Sequence, residues 1–390
     1  MKNQNRKIPK IRFNKFDSVW EEDRIADIVK ISAGGDVDKV KLKESGKYPV
    51  IANALTNKGI VGFYEDYKVK APAVTVTGRG DVGYAVARHE NFTPIVRLLT
   101  LQSEKIDVDY LENQINSMRI LNESTGVPQL TAPQLGNYKV YHPKIEEQSA
   151  IGSLFRTLDD LLVSYKDNLA NYQSLKVTML SKMFPKAGQT VPEIRLDGFK
   201  GEWEKSKLKD VAHRVQGNDG RMDLPTLTIS ASGGWMNQID RFSANIAGKE
   251  QKNYTLLKKG ELSYNHGNSK LAKYGVVFEL QEYEEALVPK VYHSFRVNQL
   301  ADAKFIEIMF STKIPDRELG KLISSGARMD GLLNISFDDF MNISIIIPTI
   351  KEQQAIGAYF SNLDKLISSY QEKISQLETL KKKLLQDMFI

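Results

Sequence analysis

Polar side chains that could read a nucleic acid lie in glycine-containing loops after several predicted strands. Arginine and lysine pair with guanine or phosphate, and asparagine and glutamine pair with adenine. The candidates of the first half are Asn53, Thr56, Asn57, Lys58, Thr77, Arg79 and Gln129. Those of the second half are Ser230, Ser232, Asn265, His266, Asn268, Ser269, Lys270 and Arg328. Any one of them can equally be a solvated turn residue, so the prediction of DNA contact depends on the whole set.

A glycine pattern in the first half matches the dinucleotide fingerprint G-x-G-x-x-G, from Gly78 to Gly83. That fingerprint requires a strand before the glycines and a helix after them. The residues that follow, YAVARHENFTP, have instead the composition of a second strand. The sequence therefore predicts a hairpin or exposed loop, and a nucleotide site is the alternative.

Motifs for catalysis and metal binding are missing from the sequence. It contains no G-x-x-x-x-G-K-[ST] phosphate loop and no N-P-P-[YF] or D-P-P-[YF] motif of a DNA amino-methyltransferase. Cysteine is absent, and the five histidines are scattered. We predict no catalytic residue, no metal site and no cofactor in this chain, and the lack of cysteine suits a reducing compartment.

An internal repeat organises the elements that must position the loops. Residues 143–185 align without a gap with residues 348–390, and residues 9–22 align with residues 192–205. The second alignment matches Arg12 to Arg195 and Trp20 to Trp203. Each copy thus has an opening motif, a variable middle and a long final segment. Two copies in one chain can imitate a homodimer with a pseudo-two-fold axis, which favours a two-part target.

The final segments, residues 146–183 and 351–388, have the apolar spacing of coiled-coil helices about 55 Å long. The predicted seam of the first is Leu154, Leu158, Leu161, Tyr165, Asn168, Tyr172, Leu175 and Met179. That of the second is Tyr359, Leu363, Leu366, Tyr370, Lys373, Leu377, Leu380 and Leu384. Asn168 and Lys373 occupy equivalent positions in the repeat and make both seams polar there. Either they fix the register near a pseudo-two-fold axis, or the seam rotates locally onto Leu169 and Ile374.

The variable middles alternate apolar and polar residues over strand lengths and are broken by glycine, with short helices near residues 107–121 and 302–325. We predict an α+β fold with two strand-rich recognition domains and two long helices that form an antiparallel coiled coil. The predicted boundaries are 1–141 for the first domain, 142–186 for its helix, 187–346 for the second domain and 347–390 for its helix.

Composition fits this plan without proving it. The net charge is +6, so a polyanionic partner is permitted but not required. Six of the first fifteen residues are basic and none is acidic, which indicates either a solvated tail or a DNA-touching arm. No apolar run is long enough for a membrane span, and no signal segment is evident, so we expect a cytoplasmic protein with no membrane partner.

These motifs together resemble the specificity subunit of type I restriction-modification enzymes. The resemblance rests on the repeated P-x-I-x-E-Q-x-A-I-G and L-x-x-L-D-x-L helix, on Trp203, Leu208 and Asp210 with their counterparts after Trp20, and on the Gly126–Leu130 segment. It covers almost the whole chain. The second copy, Gly331–Ile335, lacks the proline of that segment.

The resemblance implies that each middle reads one half of a bipartite double-stranded DNA site. It implies that the helices set the spacing and dock two methyltransferase subunits, to which restriction-translocase subunits add. S-adenosylmethionine, ATP and Mg²⁺ would then belong to the partner subunits, in an enzyme of phage defence. The rival hypotheses are a stand-alone nuclease or methyltransferase and a coiled-coil adaptor that binds only protein.

Overall fold

The computed structural model describes residues 8–118, 120, 129–242, 248–267, 270–323 and 332–390. The chain divides into two compact units, of which unit 1 contains residues 1–168 and 370–390, and unit 2 contains residues 169–369. The division falls inside both long helices, so each unit combines one globular domain with a segment of each helix. The boundaries predicted from the sequence follow the order of elements along the chain, and they stay a prediction.

Unit 1 contains three small sheets and short helices around the first part of one long helix. A four-stranded antiparallel sheet has the order β2 (Lys30–Ala33), β8 (Leu99–Gln102), β5 (Ala73–Val76), β6 (Ala85–Arg88). A three-stranded sheet has the order β4 (Ile60–Tyr64), β3 (Tyr48–Ile51), β7 (Thr93–Pro94), and a third sheet pairs β1 (Glu21–Arg24) with β9 (Lys139–His142). The helices are α1 (Ile25–Ile28), α2 (Val108–Ser117), α3 (Ala132–Gly136) and α4 (Ile145–Lys182), with a 3₁₀ turn at Thr56–Gly59.

Unit 2 repeats the plan with different additions. Its four-stranded antiparallel sheet has the order β11 (Ala212–Arg214), β18 (His293–Val297), β15 (Leu262–Asn265), β16 (Val276–Glu279). Three strand pairs accompany it: β10 (Glu204–Lys207) with β19 (Ser344–Ile347), β12 (Leu227–Ser230) with β13 (Gly234–Asn237), and β14 (Thr255–Lys258) with β17 (Glu285–Val288). The helices are α5 (Leu208–Val211), α6 (Gln238–Phe242), α7 (Ala303–Ser311), α8 (Asp316–Lys321), α9 (Phe337–Met341) and α10 (Ile350–Asp387), with a 3₁₀ turn at Gly248–Asn253.

The predicted secondary structure agrees with the structure at the motifs that matter. Helices α4 and α10 begin and end within one residue of the predicted bounds. The glycines from Gly78 to Gly83 join β5 to β6 in a hairpin, so the strand–turn–helix context of a dinucleotide site is missing there. The predicted helix at 302–325 is two helices, α7 and α8, because Lys313 adopts a left-handed φ of 62° and Pro315 follows it. Among the described residues, no helix is both long and apolar enough to cross a membrane.

The segments of α4 and α10 pair antiparallel in each unit. In unit 1, Asp159 of α4 contacts Lys381 of α10 at 2.5 Å, and Lys166 of α4 contacts Glu378 of α10 at 2.7 Å. A later residue of α4 therefore meets an earlier residue of α10, as antiparallel helices require. In unit 2, Lys176 of α4 pairs with Asp364 of α10, the counterparts of Lys381 and Asp159 in the repeat. The antiparallel prediction is therefore confirmed within each unit.

The predicted seam needs correction at four positions. Leu161, Leu175, Leu366 and Leu380 are 36–44% exposed. The buried stripe instead contains Ile151, Phe155, Leu158 and Leu162 on α4 and Ile356, Phe360, Leu363 and Ile374 on α10. The reason is that each helix segment packs against its globular domain as well as against the other helix, so the buried face is rotated from a pure two-helix seam.

At the polar position of the α10 seam, the structure agrees with the alternative in which the seam rotates locally. Ile374 is buried there and Lys373 is exposed. The ammonium of Lys373 lies 5.8 Å from the ring centroid of Tyr165 and 5.9 Å from that of Tyr370. These two rings meet edge to face at 5.5 Å. The cation thus lies over aromatic faces, which attract it electrostatically. A position of Asn168 and Lys373 at a pseudo-two-fold axis stays a prediction.

Each domain core is closed by aromatic residues from the opening motif and from the end of a helix. In unit 1, Tyr110 packs against Trp20 at 6.0 Å and against Phe389 at 5.4 Å. In unit 2, Phe184 packs against Trp203 at 5.7 Å and against Phe305 at 5.5 Å. The Met-Phe dipeptide at the end of each helix is buried in both cores.

The repeated Glu-Gln dipeptide at the start of each long helix joins that helix to its domain. Gln148 Nε2 donates to the carbonyl oxygen of Pro143 at 2.8 Å, and Gln148 Oε1 accepts from the amide of Asp107 at 2.9 Å. Gln353 makes the same contacts with Pro348 and Asp302, at 2.9 and 3.0 Å. Asp107 and Asp302 are the N-caps of α2 and α7, so one glutamine links two helix starts in each unit.

Candidate nucleic-acid interface

The first candidate surface is a group of loops in unit 1 that one asparagine holds together. Asn53 Nδ2 donates to the carbonyl oxygen of Val96 at 2.6 Å, and Asn53 Oδ1 accepts from the amide of Gly78 at 2.7 Å. A side chain at Gly78 would meet the carbonyl oxygens of Leu130 and Arg97 at 3.0 and 3.1 Å. We name the first loop cluster by its residues 53, 77–80, 96–97 and 129–130.

Three long polar side chains occupy exposed positions of the first loop cluster. Arg79 and Gln129 are partners in a β-bridge, so the structure brings these two predicted residues together. Arg97 is exposed and adopts a left-handed φ of 59°. Asp81, also exposed, lies in the hairpin that carries Arg79 and offsets one positive charge. Guanidinium groups and a side-chain amide are suited to phosphate and base edges.

Thr77 was predicted to contact DNA from an exposed loop, but its side chain is not exposed. It is buried, its Oγ1 donates to the carbonyl oxygen of Asp81, and the same Oγ1 accepts from the amide of Tyr84 at 2.9 Å. The hydroxyl therefore shapes the hairpin between β5 and β6. Like Asn53, it holds a loop in position.

The 3₁₀ turn that begins at Thr56 presents exposed polar side chains on a strained backbone. Asn57 and Lys58 have φ values of 47° and 49°, which non-glycine residues rarely adopt. Arg88 fastens this turn, because its Nη2 donates to the carbonyl oxygen of Lys58 at 2.7 Å and its Nε donates to Thr75 Oγ1 at 2.9 Å. Burial lowers the pKa of Arg88 to about 10.

The second candidate surface is an open cleft of about 420 Å³ in unit 2. Four predicted residues, Ser230, Ser232, Asn265 and Lys270, line it together with Arg241. The structure thus brings together side chains from the β12–β13 turn, from α6 and from the segment after β15. We name the polar residues of this cleft the second loop cluster.

Asn265 and Ser230 connect the parts of the second loop cluster. Asn265 Nδ2 donates to the carbonyl oxygen of Ile229 at 3.3 Å, and its Oδ1 accepts from the amide of Gly267 at 3.1 Å. The hydroxyl oxygens of Ser230 and Ser232 lie 3.3 Å apart. Lys270 is exposed at the rim. The cleft therefore presents hydroxyl, amide, ammonium and guanidinium groups.

His266 lies inside the domain. Its Nδ1 is 2.7 Å from the carbonyl oxygen of Leu333, its Nε2 is 2.8 Å from that of Val291, and its ring stacks on His293 at 4.7 Å. Both nitrogens are thus engaged by main chain, and the ring supports the loop rather than facing solvent. Burial, together with electrostatic repulsion from His266 and Arg214, lowers the pKa of His293 to about 4, and the hydrogen bond to the carbonyl oxygen of Ile335 acts in the opposite direction.

Three predicted residues, Asn268, Ser269 and Arg328, lie outside the described residues, as do Gly126–Pro128 and Gly331 of the family-like segment. Sequence reasoning missed Arg97 and Arg241. Arg97 lies in a short loop before the apolar strand β8, and it is not part of a polar run flanked by glycines. Arg241 lies on a short helix, and no local pattern marks it.

Both units also present an equivalent cleft beside their helix pair. The cleft of unit 1 measures about 710 Å³ and is lined by Glu112 of α2, by the ion pair of Asp159 and Lys381, and by Lys58. Burial and, to a smaller extent, the Asp159 carboxylate raise the pKa of Glu112 to about 7. The cleft of unit 2 measures about 620 Å³ and is lined by Glu307, Lys176 and Asp364 among others.

A duplicated domain with divergent polar loops and a paired helix is the arrangement of a modular recognition protein. The sequence profile described as the type I restriction modification DNA specificity domain matches residues 17–171 and again residues 200–379. The chain therefore belongs to the family of type I restriction-modification DNA specificity subunits, and it contains two such domains.

Relatives and one solved structure agree with this assignment. The chain is 27% identical over 143 residues to a protein of Mycoplasma pneumoniae named as a type I specificity subunit, a match over 35% of this chain and 39% of that protein. It is 22% identical to the MjaVIII type I restriction enzyme specificity subunit of Methanocaldococcus jannaschii, over 94% of this chain and 91% of that one. Its fold is similar to that of the type I restriction-modification S subunit of M. genitalium, with a TM-score of 0.63, 14% identity and coverage of 98% and 99%.

Proposed function

We propose that this chain reads a bipartite double-stranded DNA target for a type I restriction-modification enzyme, with one half-site for each unit. The observation that carries the proposal is that two domains with the same four-stranded sheet end in loop clusters of different chemistry. A shared framework with divergent loops suits the reading of two different sequences. Membership of the family supports DNA as the ligand.

The exposed side chains of the clusters carry the reading, and the engaged ones hold the loops. In unit 1, we assign contacts with DNA to Arg79, Arg97 and Gln129, and loop support to Asn53 and Thr77. Phosphate contacts would fix the register of the domain, and base-edge contacts of arginine with guanine or glutamine with adenine would fix the sequence.

In unit 2, we assign contacts with DNA to Ser232 and Lys270, and loop support to Asn265, His266 and Arg241, whose Nη1 donates to the carbonyl oxygen of Ile229 at 3.5 Å. The short hydroxyl and the flexible ammonium are less selective for one base than a bidentate group. The two units would therefore differ in how they divide affinity and specificity.

The helices supply a docking surface for two copies of one partner, which we propose to be the methyltransferase subunit. Leu161 and Leu380 of unit 1 are exposed, and so are their repeat counterparts Leu366 and Leu175 of unit 2. In both units each exposed leucine lies within two residues of the lysine or aspartate that forms the ion pair between the helices. A surface that occurs twice in one chain fits a partner that binds twice.

Catalysis belongs to the partners in this proposal. The specificity subunit positions them on the DNA, and S-adenosylmethionine, ATP and Mg²⁺ would bind to the methyltransferase and to the restriction-translocase subunits that join it. The chain would act in the cytoplasm, beside the DNA it reads.

Methylation mapping tests the half-site assignment. Cells that carry the chain and its cognate methyltransferase subunit should methylate a split motif, and replacement of residues 17–141 by the same region of another family member should change one half of it only.

Arg79→Ala should relax the half that depends on unit 1, at a cost of about 1–3 kcal/mol for a lost base contact. Ser232→Ala is the matched variant in unit 2. A motif that changes in both halves, or no motif while the partner is bound, would contradict the proposal, and the latter would favour a protein adaptor.

Partner docking has a separate test. The double variant Leu161→Asp/Leu380→Asp should reduce the mass of the assembled complex by one methyltransferase subunit, measured by native mass spectrometry. The counterpart Leu366→Asp/Leu175→Asp should do the same, and all four changes should remove both. An exposed apolar control outside both long helices is Val191→Asp. Full assembly with all four changes would exclude these leucines from docking.

A further inference from the structure

The strand pair β1–β9 of unit 1 places three metal-ligating side chains on one face. Glu21 lies opposite His142 in the pair, and Asp23 follows Glu21 by two residues, which returns it to the same face of the strand. One ligand atom from each of the three lies within 4.8 Å of the others. The closest pair is His142 Nε2 and Asp23 Oδ2, at 2.9 Å.

The second unit builds the same strand pair with only one of these three groups, the glutamate. In β10–β19, Glu204 lies opposite Ile347, as Glu21 lies opposite His142, and Ser206 occupies the position of Asp23. The two strands of unit 2 pair in the same register with Ser206 in place of Asp23 and with Ile347 in place of His142. Strand pairing therefore does not require a histidine or a second carboxylate. The ligand set of unit 1 therefore calls for an explanation beyond strand pairing.

We propose that Glu21, Asp23 and His142 bind a divalent transition-metal ion of the zinc class. One neutral imidazole and two carboxylates are ligands that Zn²⁺ accepts, whereas Mg²⁺ and Ca²⁺ favour oxygen ligands alone. Three protein ligands leave a position for water. Together the two carboxylates carry the charge that a divalent ion neutralises.

The surroundings of the cluster suit an ion that enters from solvent. The His142 side chain is 13% exposed and that of Asp23 is 38% exposed, and Glu21 is exposed, so one side is held by the protein and the other is open. The nearby cation Lys139 pairs with Glu22 at 2.6 Å, and both belong to the opposite face of the strand pair. That ion pair therefore does not occupy the three ligands.

The ion would join the strand that opens the first domain to the strand that leads into α4. No local motif indicates the site, because His142 lies 119 residues after Asp23 and only the strand pairing brings it to the two carboxylates. A metal at this position would stabilise unit 1 without any contact with the loop clusters.

The test uses the untagged full chain, freed of metal by dialysis against a chelator. Zn²⁺ is titrated by calorimetry, and Co²⁺ is titrated by its visible absorption, which reports ligand geometry. We expect one ion per chain and a higher melting temperature of the zinc-bound form. His142→Ile and Asp23→Ser, the residues that unit 2 has at these positions, should weaken binding by more than about 10–100-fold, the loss that removal of a residue behind the direct ligands already causes.

Two controls keep the test sharp. His89 Nε2 lies 2.8 Å from Asp109 Oδ1 and thus forms a histidine–aspartate pair without belonging to this group of three ligands, so His89→Ala should leave binding unchanged. Glu21→Gln removes an exposed ligand without altering side-chain size, so weaker binding by that variant cannot be ascribed to misfolding. Equal zinc affinity in the wild type, His142→Ile and Glu21→Gln, or no binding by the wild type at millimolar Zn²⁺, would overturn the proposal.

Discussion

Arg12 donates two hydrogen bonds of 2.6 Å to the carboxylate of Glu147, and that carboxylate is only 1% exposed. Arg195 and Glu352 form the same bidentate pair in unit 2, at 2.7 and 2.6 Å. The two repeated motifs, one that opens each copy and one that begins each long helix, are therefore complementary parts of one contact. The pair fastens the start of each domain to its helix.

Removal of the arginine should strongly destabilise the unit that contains it. Arg12→Ala leaves the buried Glu147 carboxylate without its cation, and breaking a buried pair in this way costs about 3–5 kcal/mol. Chemical denaturation with hydrogen-exchange mass spectrometry should place the loss in unit 1, and Arg195→Ala should move it to unit 2. A loss below about 1 kcal/mol would show that water replaces the guanidinium.

The two helix glycines of the repeated A-I-G motif should respond differently to alanine. A Cβ at Gly152 would lie 2.6 Å from Asp107 Oδ1 and 2.9 Å from the Tyr110 amide nitrogen, whereas a Cβ at Gly357 would meet Asp302 Oδ1 at 3.2 Å and then the flexible side chain of Lys304. Alanine otherwise favours a helix over glycine by about 1 kcal/mol. Gly152→Ala should therefore lower the denaturation midpoint, and Gly357→Ala should change it little. Equal effects would contradict the difference in packing.

Acid should weaken unit 2 through His293. Burial lowers the pKa of this histidine from 6.5 to about 4, so the unfolded chain takes up a proton at a higher pH than the folded one. The resulting stabilisation is complete above pH 6.5 and is lost as the pH falls towards 4; its size is on the order of 1–3 kcal/mol. His293→Gln should flatten the loss of stability across this window in denaturation curves. The exposed histidine His213 provides the control His213→Gln, which should leave the slope unchanged.

Glu112 should have the opposite pH dependence in unit 1. Burial and the Asp159 carboxylate raise its pKa from 4.5 to about 7, so the folded chain retains a proton that the unfolded chain releases. This contribution is present below pH 4.5 and is lost as the pH rises to 7, with a size on the order of 1–3 kcal/mol. Glu112→Gln should make unit 1 more stable than the wild type at pH 8 and similar at pH 4.5. An unchanged difference between the two pH values would show that water already solvates the carboxylate.

Local patterns predicted the elements well because helices and strands follow periodicity. The bounds of α4 and α10 and the hairpin at Gly78 were predictable from apolar spacing and from the residues that follow the glycines. The exposed Leu161 and the buried Leu162 were not, because a heptad pattern specifies one partner, and this helix has two. Which of two adjacent leucines is buried depends on a domain surface that the helix sequence does not contain.

The candidate site was predictable by residue type but not by role. Arg79 and Gln129 lie together as partners of a bridge, and Ser230 and Lys270 share a cleft. Asn53 and His266 have the same chemistry as base-reading residues, yet their polar atoms are engaged by main chain from other loops. No sequence pattern separates a side chain that binds a ligand from one that holds the loop beside it, because the difference lies in long-range contacts.

The placement of Phe389 in the core of unit 1 determines the order in which a growing chain can fold. Unit 2 consists of one continuous stretch, residues 169–369, whereas the core of unit 1 lacks Phe389 until synthesis has passed about 220 residues beyond Asn168. At 5–20 residues per second, that interval is roughly 10–40 s. During it the apolar surface around Tyr110 stays open to water and to chaperones. The unit that is synthesised first is therefore completed last.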